Sequence, residues 1–160
     1  TAMVERYRDG VLPGPGPAGD AEVAVQDAAT QAYAEAKAAL YDLAYERALA
    51  AIWRFVAAAN GYLSERRPWD LARAGENLAL DTALYTGAEA LRVAALLTAP
   101  WLTRAAPALW AALGAPGELA DARLPAALVW GGLPRGARVQ RVGALFPRLD
   151  AEGNVAPRAG

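Results

Sequence analysis

The sequence contains neither histidine nor cysteine among its 160 residues. Without cysteine there is no disulfide framework, no thiolate nucleophile and no zinc-ribbon spacing, and a reducing, cytosolic compartment is the expected one. Without histidine the chain lacks the commonest general base and metal ligand, and it forms no Ser/His or Cys/His nucleophilic pair. These absences predict a chain that is not an enzyme on its own and that holds no metal or cofactor.

The sequence also lacks a large excess of positive or negative charge, and it has no long apolar run. The 16 basic residues are balanced by 17 acidic ones, so no global positive field attracts a phosphate backbone and any nucleic-acid binding must come from a local site. The longest apolar stretches, residues 93–103 and 105–117, are shorter than the roughly 18 residues of a membrane helix. With no secretory signal visible at the start, we expect a soluble, cytoplasmic protein with no role at a membrane.

Helical periodicity dominates what is present. Alanine is frequent over residues 21–41, where glycine and proline are missing, which favours helix and leaves room for a break near Asp42. The next apolar stripe predicts a helix that must stop at or before Arg67, because the residue preceding Pro68 is pushed out of the α region. The members of this stripe are Ala48, Ile52, Phe55, Ala59 and Tyr62.

The second half of the chain repeats this pattern and then loses it. Apolar positions from Leu80 to Thr98 predict a long helix that stops at Pro100, and residues 104–113 predict a shorter one closed by Gly114. Residues 130–136 have the composition of turns. The predicted fold class is therefore all-α, an antiparallel helical bundle of about four or five helices with an irregular C-terminal extension.

The ends of the chain differ from its centre. Helical spacing begins at Val4 without an N-cap before it, which predicts the end of a truncated helix. The loop that follows is rich in proline and glycine, and we expect Asp20 to cap the next helix and Glu22 to be solvent-exposed. The predicted division is residues 1–9 as the helix end, 10–20 as the loop, 21–149 as the helical domain and 150–160 as a flexible tail.

Five segments, in order and at consistent spacing, closely resemble the anticodon-binding domain of methionyl-tRNA synthetases. The first is the helix end and Pro-Trp turn of residues 58–73, and five segments in register are far more specific than one. The others are Glu89-Ala90-Leu91-Arg92 continuing to Leu97 with Pro100 after it, Leu113-Gly114, Trp130-Gly131 and Leu145-Phe146-Pro147-Arg148.

The resemblance implies an RNA-binding role at the Pro-Trp turn. It implies that Trp69 stacks on an anticodon base of methionine tRNA while Pro68 holds it still, and an exposed aromatic at a helix end suits an unstacked loop base. It also implies that the parent is a methionine–tRNA ligase whose catalytic domain, in the same chain, binds ATP and Mg²⁺. The asparagine and arginine with which the family reads the anticodon would lie upstream of Thr1, and no DNA is expected as a partner.

Polar residues around the turn have less specific roles. Arg66, Arg67 and Arg73 are candidates for phosphate contacts, against the alternative of a solvated helix end. We expect Asn60 to support the structure through a buried or half-buried amide that bonds nearby backbone. Where some family members carry an acid or asparagine shortly before the tryptophan, this chain has Ser64 and Glu65, which leaves a polar contact by that segment unassigned.

The alternative function is a helical interaction or dimerisation bundle in which the tryptophans form the core. Core packing is expected in any case for Trp53, Trp101 and Trp110, which lie in helical or proline-bounded apolar stretches. Exposure of Trp69 separates the two functions. An indole accessible to solvent beside the arginines favours RNA binding, and one buried with Trp53 and Trp101 favours the interaction bundle.

Overall fold

Three helices of 22 residues each form the centre of the computed structural model, which describes residues 1–143 and 145–146. The prediction of an all-α antiparallel bundle is confirmed, and no β-strand forms within the described residues. Two 3-10 turns, Leu119–Asp121 and Ala126–Leu128, follow the last helix. The α-helices, numbered in chain order, are α1 Ala2–Arg8, α2 Asp20–Tyr41, α3 Tyr45–Arg66, α4 Pro68–Ala74, α5 Asn77–Thr98 and α6 Ala105–Ala112.

The helix ends follow local chemistry, with one correction. Helix α3 ends directly before Arg67, as expected from Pro68. Gly114 lies beyond α6 with a φ of +65°, a conformation that glycine adopts without strain. The predicted cap at Asp20 is wrong: Asp20 is the first residue of α2 and Gly19 precedes it in an extended conformation, donating its N–H to the Glu22 carboxylate. A negative side chain in the first turn performs the capping instead.

Alanines allow α2 and α3 to pack closely as an antiparallel hairpin. The buried face of α2 consists largely of alanines, which meet Ala48, Ile52 and Phe55 of α3, and Val93 and Leu97 of α5 complete this part of the core. Trp110 is buried in a second cluster around α6, where its indole N–H donates to the carbonyl oxygen of Gly117 at 2.9 Å. The small side chains thus allow the helices to approach closely, and a small number of large side chains fill the remaining space.

The expected core position of Trp53 is wrong, because its side chain is 53% exposed. Trp53 follows Ile52, which is 1% exposed, and successive residues of a helix lie about 100° apart around its axis. The apolar stripe therefore faces the core while the neighbouring indole faces outward. Trp101 is half-buried against the α2–α3–α5 core, and Trp110 is buried as expected.

A buried ion pair fastens the irregular C-terminal segment to α5. Arg92 and Glu89 pair side by side, and the guanidinium also donates to the carbonyl oxygens of Ala127 at 2.7 Å and Val129 at 2.8 Å. The Glu89 carboxylate accepts the N–H of Leu133 at 3.0 Å. Residues without regular secondary structure thereby find partners for their backbone groups on a helix, and Glu89-Ala90-Leu91-Arg92 serves as an attachment point.

The same segment also holds the Pro/Gly loop. Leu12 is fully buried, its N–H donates to the carbonyl oxygen of Ala137 at 2.9 Å, and its own carbonyl accepts the N–H of Gly136 at 2.9 Å. Val11 and Arg138 form an isolated antiparallel bridge. The predicted tail, residues 150–160, lies outside the described residues.

Candidate nucleic-acid interface

The corner between α3 and α4 consists of a single residue. Arg67 has φ 47° and ψ 62°, the left-handed conformation. It is both the C-cap of α3 and the N-cap of α4. Pro68 is the first residue of α4, where its missing N–H costs nothing and its fixed φ suits the helix. A single residue in a non-helical conformation therefore separates the two helices.

At this corner Pro68 and Trp69 differ in their exposure to solvent. The proline is buried, with less than 2% of its surface exposed, whereas Trp69 remains 43% exposed. A buried neighbour on the amino side and a helix on the carboxyl side restrict the backbone of Trp69. The indole is thus a held but accessible aromatic surface, which is the outcome that favours RNA binding over an interaction bundle with all its tryptophans in the core.

The three candidate arginines lie at this corner but have different partners. Arg67 Nη2 is 2.6 Å from Asp70 Oδ2, and Arg73 Nη1 is 3.2 Å from Asp70 Oδ1. Both arginine side chains are exposed, at 63% and 81%. Arg66 instead faces α2, with Nε 3.3 Å from Glu22 Oε1 and its side chain 34% exposed. Asp70, on α4, thus pairs with the two exposed arginines, and the buried Glu22, on α2, pairs with Arg66.

Glu22 contradicts the expectation of a solvent-exposed acid. Its side chain is only 5% exposed, and besides its ion pair with Arg66 it accepts hydrogen bonds from the Tyr62 hydroxyl at 2.6 Å and the Gly19 N–H at 2.9 Å. The sequence carried one signal for this arrangement, since an acid at the third helical position commonly bonds back to the cap residue. Its partners Tyr62 and Arg66 lie on another helix, so their convergence has no local signature. Glu22 joins the Pro/Gly loop, α2 and the end of α3 directly before the corner.

Hydrogen bonding determines the ionisation of this cluster. Burial by itself would raise the pKa of the Glu22 carboxyl, but the bonds from Tyr62 and Gly19 and the Arg66 charge outweigh it, so the pKa lies below its ordinary value. Burial and the hydrogen bond to Glu22 raise the pKa of the Tyr62 hydroxyl. Glu22 is therefore a charged acceptor at neutral pH and Tyr62 a neutral donor.

Replacing Glu22 by glutamine is expected to lower the free energy of unfolding at neutral pH by about 1–3 kcal/mol, because the amide has one acceptor oxygen for the Tyr62 and Gly19 donors and no charge to pair with Arg66. The pKa of Glu22 is lowered on folding, so its contribution is complete above the unfolded value of about 4.5 and is lost as the pH falls through the lower folded value. Urea unfolding of both proteins between pH 7 and pH 2 tests this. A stability difference that stays constant below pH 4 would contradict the assigned charge state.

Asn60 does not have the surroundings expected of it. Its side chain is exposed, and its backbone carbonyl, rather than its amide, accepts a hydrogen bond, from the Ser64 hydroxyl at 3.0 Å. The expectation of a buried or half-buried amide is therefore corrected. Within the residues that the structure describes, the Asn60 amide has no hydrogen-bond partner on this chain.

Two further absences apply to residues 1–143 and 145–146. No group of three or more Asp, Glu, His or Cys side chains is arranged to hold a metal ion there. None of their helices is long and apolar enough to cross a membrane.

The fold and the corner together define a class of protein, an all-α domain that presents a proline-anchored aromatic surface beside arginines. A family model described as "Anticodon binding domain of methionyl tRNA ligase" matches residues 12–156. The chain belongs to this family, and the resemblance of its five segments is confirmed.

Individual relatives agree with this assignment. The methionine–tRNA ligase of Streptomyces coelicolor is 42% identical over 156 residues, which are 93% of this chain and 29% of that protein. The corresponding ligase of Deinococcus radiodurans is 33% identical and matches 99% of this chain but 23% of its own length. The chain thus spans less than a third of the curated relatives that it matches.

Solved structures share the fold. The apo form of Mycobacterium tuberculosis methionyl-tRNA synthetase superimposes with a TM-score of 0.81 and 31% identity, over 92% of this chain and 30% of that one. A structure of the same synthetase bound by methionyl-adenylate gives a TM-score of 0.80. The described helices therefore correspond to one part of a larger synthetase.

Proposed function

We propose that this domain recognises the anticodon loop of methionine tRNA for a methionine–tRNA ligase. The observation that carries the proposal is the half-exposed Trp69 on the buried Pro68 at the α3–α4 corner of a chain that belongs to the anticodon-binding family. Loop bases of RNA are unstacked and accessible, and an aromatic side chain offers them a face on which to stack. Pro68 restricts the platform before RNA arrives, which reduces the entropy lost on binding.

Arg66 supplies the phosphate contact in this proposal. Its Nε faces Glu22, so the guanidinium is oriented from behind while part of it remains at the surface. The two terminal nitrogens of a guanidinium suit the oxygens of a phosphate. The net charge of −1 leaves little long-range attraction, and we expect the isolated domain to bind tRNA weakly and more weakly still as salt rises.

Catalysis belongs to another part of the ligase. The described residues contain no group of three or more Asp, Glu, His or Cys side chains arranged to hold a metal ion, and the Pro/Gly loop lacks the lysine that a phosphate-binding loop requires. We therefore place ATP and Mg²⁺ in the catalytic domain of the same chain, which is the second proposed partner. Bound there, they would supply the activation of methionine, a reaction that belongs with translation in the cytoplasm. On its own the domain carries only recognition.

Trp69→Ala is expected to weaken binding of a hairpin RNA that carries the methionine anticodon by roughly 5- to 150-fold, because base stacking on an aromatic platform contributes about 1–3 kcal/mol. Titrating the labelled hairpin with protein and following its fluorescence anisotropy measures this. The melting temperature should change little, since an exposed indole leaves no cavity in the core when removed.

Trp53→Ala is the matched control for that experiment. It removes an indole of similar exposure, 53% against 43%, from the middle of α3 rather than from the corner. Binding of the hairpin should be unchanged in this variant. Equal binding by wild type and Trp69→Ala, or equal losses in the two variants, would refute Trp69 as the stacking platform.

A further inference from the structure

Asp70 directly follows the proposed platform and binds two arginines at once. It lies in the first turn of α4, three residues after Arg67 and three before Arg73, a spacing that brings side chains together on a helix. One carboxylate oxygen is 2.6 Å from Arg67 and the other 3.2 Å from Arg73. Both of its oxygens are therefore engaged by Arg67 and Arg73, the two most exposed of the three arginines at this corner.

This arrangement changes what the arginines offer to RNA. A phosphate that approaches Arg67 or Arg73 must displace a carboxylate already in contact, and it also meets the negative charge of that carboxylate. Phosphate contacts carry no sequence information, whereas contacts to base edges do. Stacking requires an unstacked base that reaches the aromatic side chain. An acid that weakens only the phosphate contacts therefore lowers the part of the binding free energy that does not depend on RNA sequence.

We propose that Asp70 is a specificity-determining residue that masks Arg67 and Arg73, so that RNA offering only phosphates binds poorly. The proposal rests on Trp69 being the anticodon platform, as argued above. A cognate loop seats a base on Trp69 and is held there by stacking, with its phosphates placed by the loop geometry. A non-cognate strand has no such constraint and would move to the arginines if Asp70 left them free.

Asp70→Asn removes the mask and keeps the shape of the side chain. Each phosphate contact to a single strand adds about 0.7 to the slope of log affinity against log salt. Release of one or two arginines should therefore tighten binding of a non-cognate hairpin by roughly 5- to 25-fold near 0.1 M salt, with a correspondingly steeper salt dependence. The hairpin with the methionine anticodon should gain less, so the ratio of the two affinities should fall.

Asp42→Asn is the matched control. Asp42 pairs with Arg47 at 3.0 Å in an exposed ion pair at the turn between α2 and α3, the end of the hairpin opposite to the corner. The substitution changes the net charge by the same amount. Tighter, less selective binding in Asp70→Asn but not in Asp42→Asn would support the mask and exclude a general charge effect.

The remaining outcomes separate this proposal from the proposed function. If Asp70→Asn and Asp42→Asn behave alike while Trp69→Ala loses binding, masking is wrong and the platform stands. If Asp70→Asn loses the cognate hairpin selectively, Asp70 contacts a base and masking is again wrong. If Trp69→Ala binds normally, the proposed function itself fails. If Asp70→Asn does not bind more tightly, its melting temperature shows whether the domain is still folded. A second variant, Asp70→Ser, removes the same charge with a different side chain and shows whether the result depends on the structure of α4.

Discussion

Arg92→Ala is expected to lower the free energy of unfolding by about 3–5 kcal/mol, because it leaves a buried charge without its partner. The Arg92 side chain is 2% exposed and that of Glu89 is fully buried. The substitution also removes the donors to the carbonyl oxygens of Ala127 and Val129. Three acceptors are thus orphaned at once, and the C-terminal segment should detach from α5 before the rest of the domain unfolds.

Urea unfolding followed by circular dichroism measures the loss, with Arg47→Ala as the control. Arg47 pairs with Asp42 in an exposed ion pair, with both side chains more than 60% exposed, and pairs of that kind contribute about 0–1 kcal/mol. If Arg92→Ala costs no more than Arg47→Ala, the buried pair does not stabilise the C-terminal segment.

Local sequence signals predicted the helices well because their causes are local. The stop before Pro68 follows from a clash with the preceding residue, and the end of α6 follows from the ease with which Gly114 adopts positive φ. The candidate site at the corner came instead from the resemblance to the family, because local signals predict only that a helix starts at Pro68 and do not say whether Trp69 is exposed.

The buried polar contacts could not be predicted for the opposite reason. Glu89 and Arg92 are three residues apart, a spacing that is equally common in exposed ion pairs, and their burial depends on carbonyl groups 35 and 37 residues after Arg92. Glu22 is buried by a tyrosine 40 residues away. No local pattern states which distant segment will cover a charged residue, so Glu22 was predicted to be surface charge and the burial of Glu89 and Arg92 was not predicted.

The roles of the arginines lie between these cases. The separation of Arg67 and Arg73 from Asp70 by three residues each is visible in the sequence, and it could have indicated that the acid holds both. Arg66 differs because its partner lies on α2. Three adjacent positive charges therefore divide into two that a local spacing explains and one that only the packing of two helices explains.

The position of Trp53 shows how a small error in helical phase misplaces a large side chain. The apolar stripe through Ile52 and Phe55 was identified correctly, and both of these side chains are 1% exposed. Trp53 was assigned to the same apolar segment on its residue type, although it lies about 100° from Ile52 around the helix. Hydrophobicity alone favoured burial, and geometry placed the indole outside.

Phe55→Ala is therefore the variant expected to damage the core, at a cost of about 3–5 kcal/mol in the free energy of unfolding. The Phe55 ring lies among the alanines of α2 and residues of α5, where few other large side chains could move to fill the space. Trp53→Ala should cost less than about 1 kcal/mol, since its indole is 53% exposed and its removal opens no enclosed cavity.

Chemical unfolding of the two variants side by side tests this difference, and hydrogen exchange of the α2 and α3 amides shows where stability is lost. Exchange in Phe55→Ala should accelerate along both helices, because the ring joins them through one core cluster. Exchange in Trp53→Ala should remain close to that of the wild type. If instead Trp53→Ala destabilised the domain as much as Phe55→Ala, the indole would have to pack against this chain, and the assigned phase of α3 would be wrong.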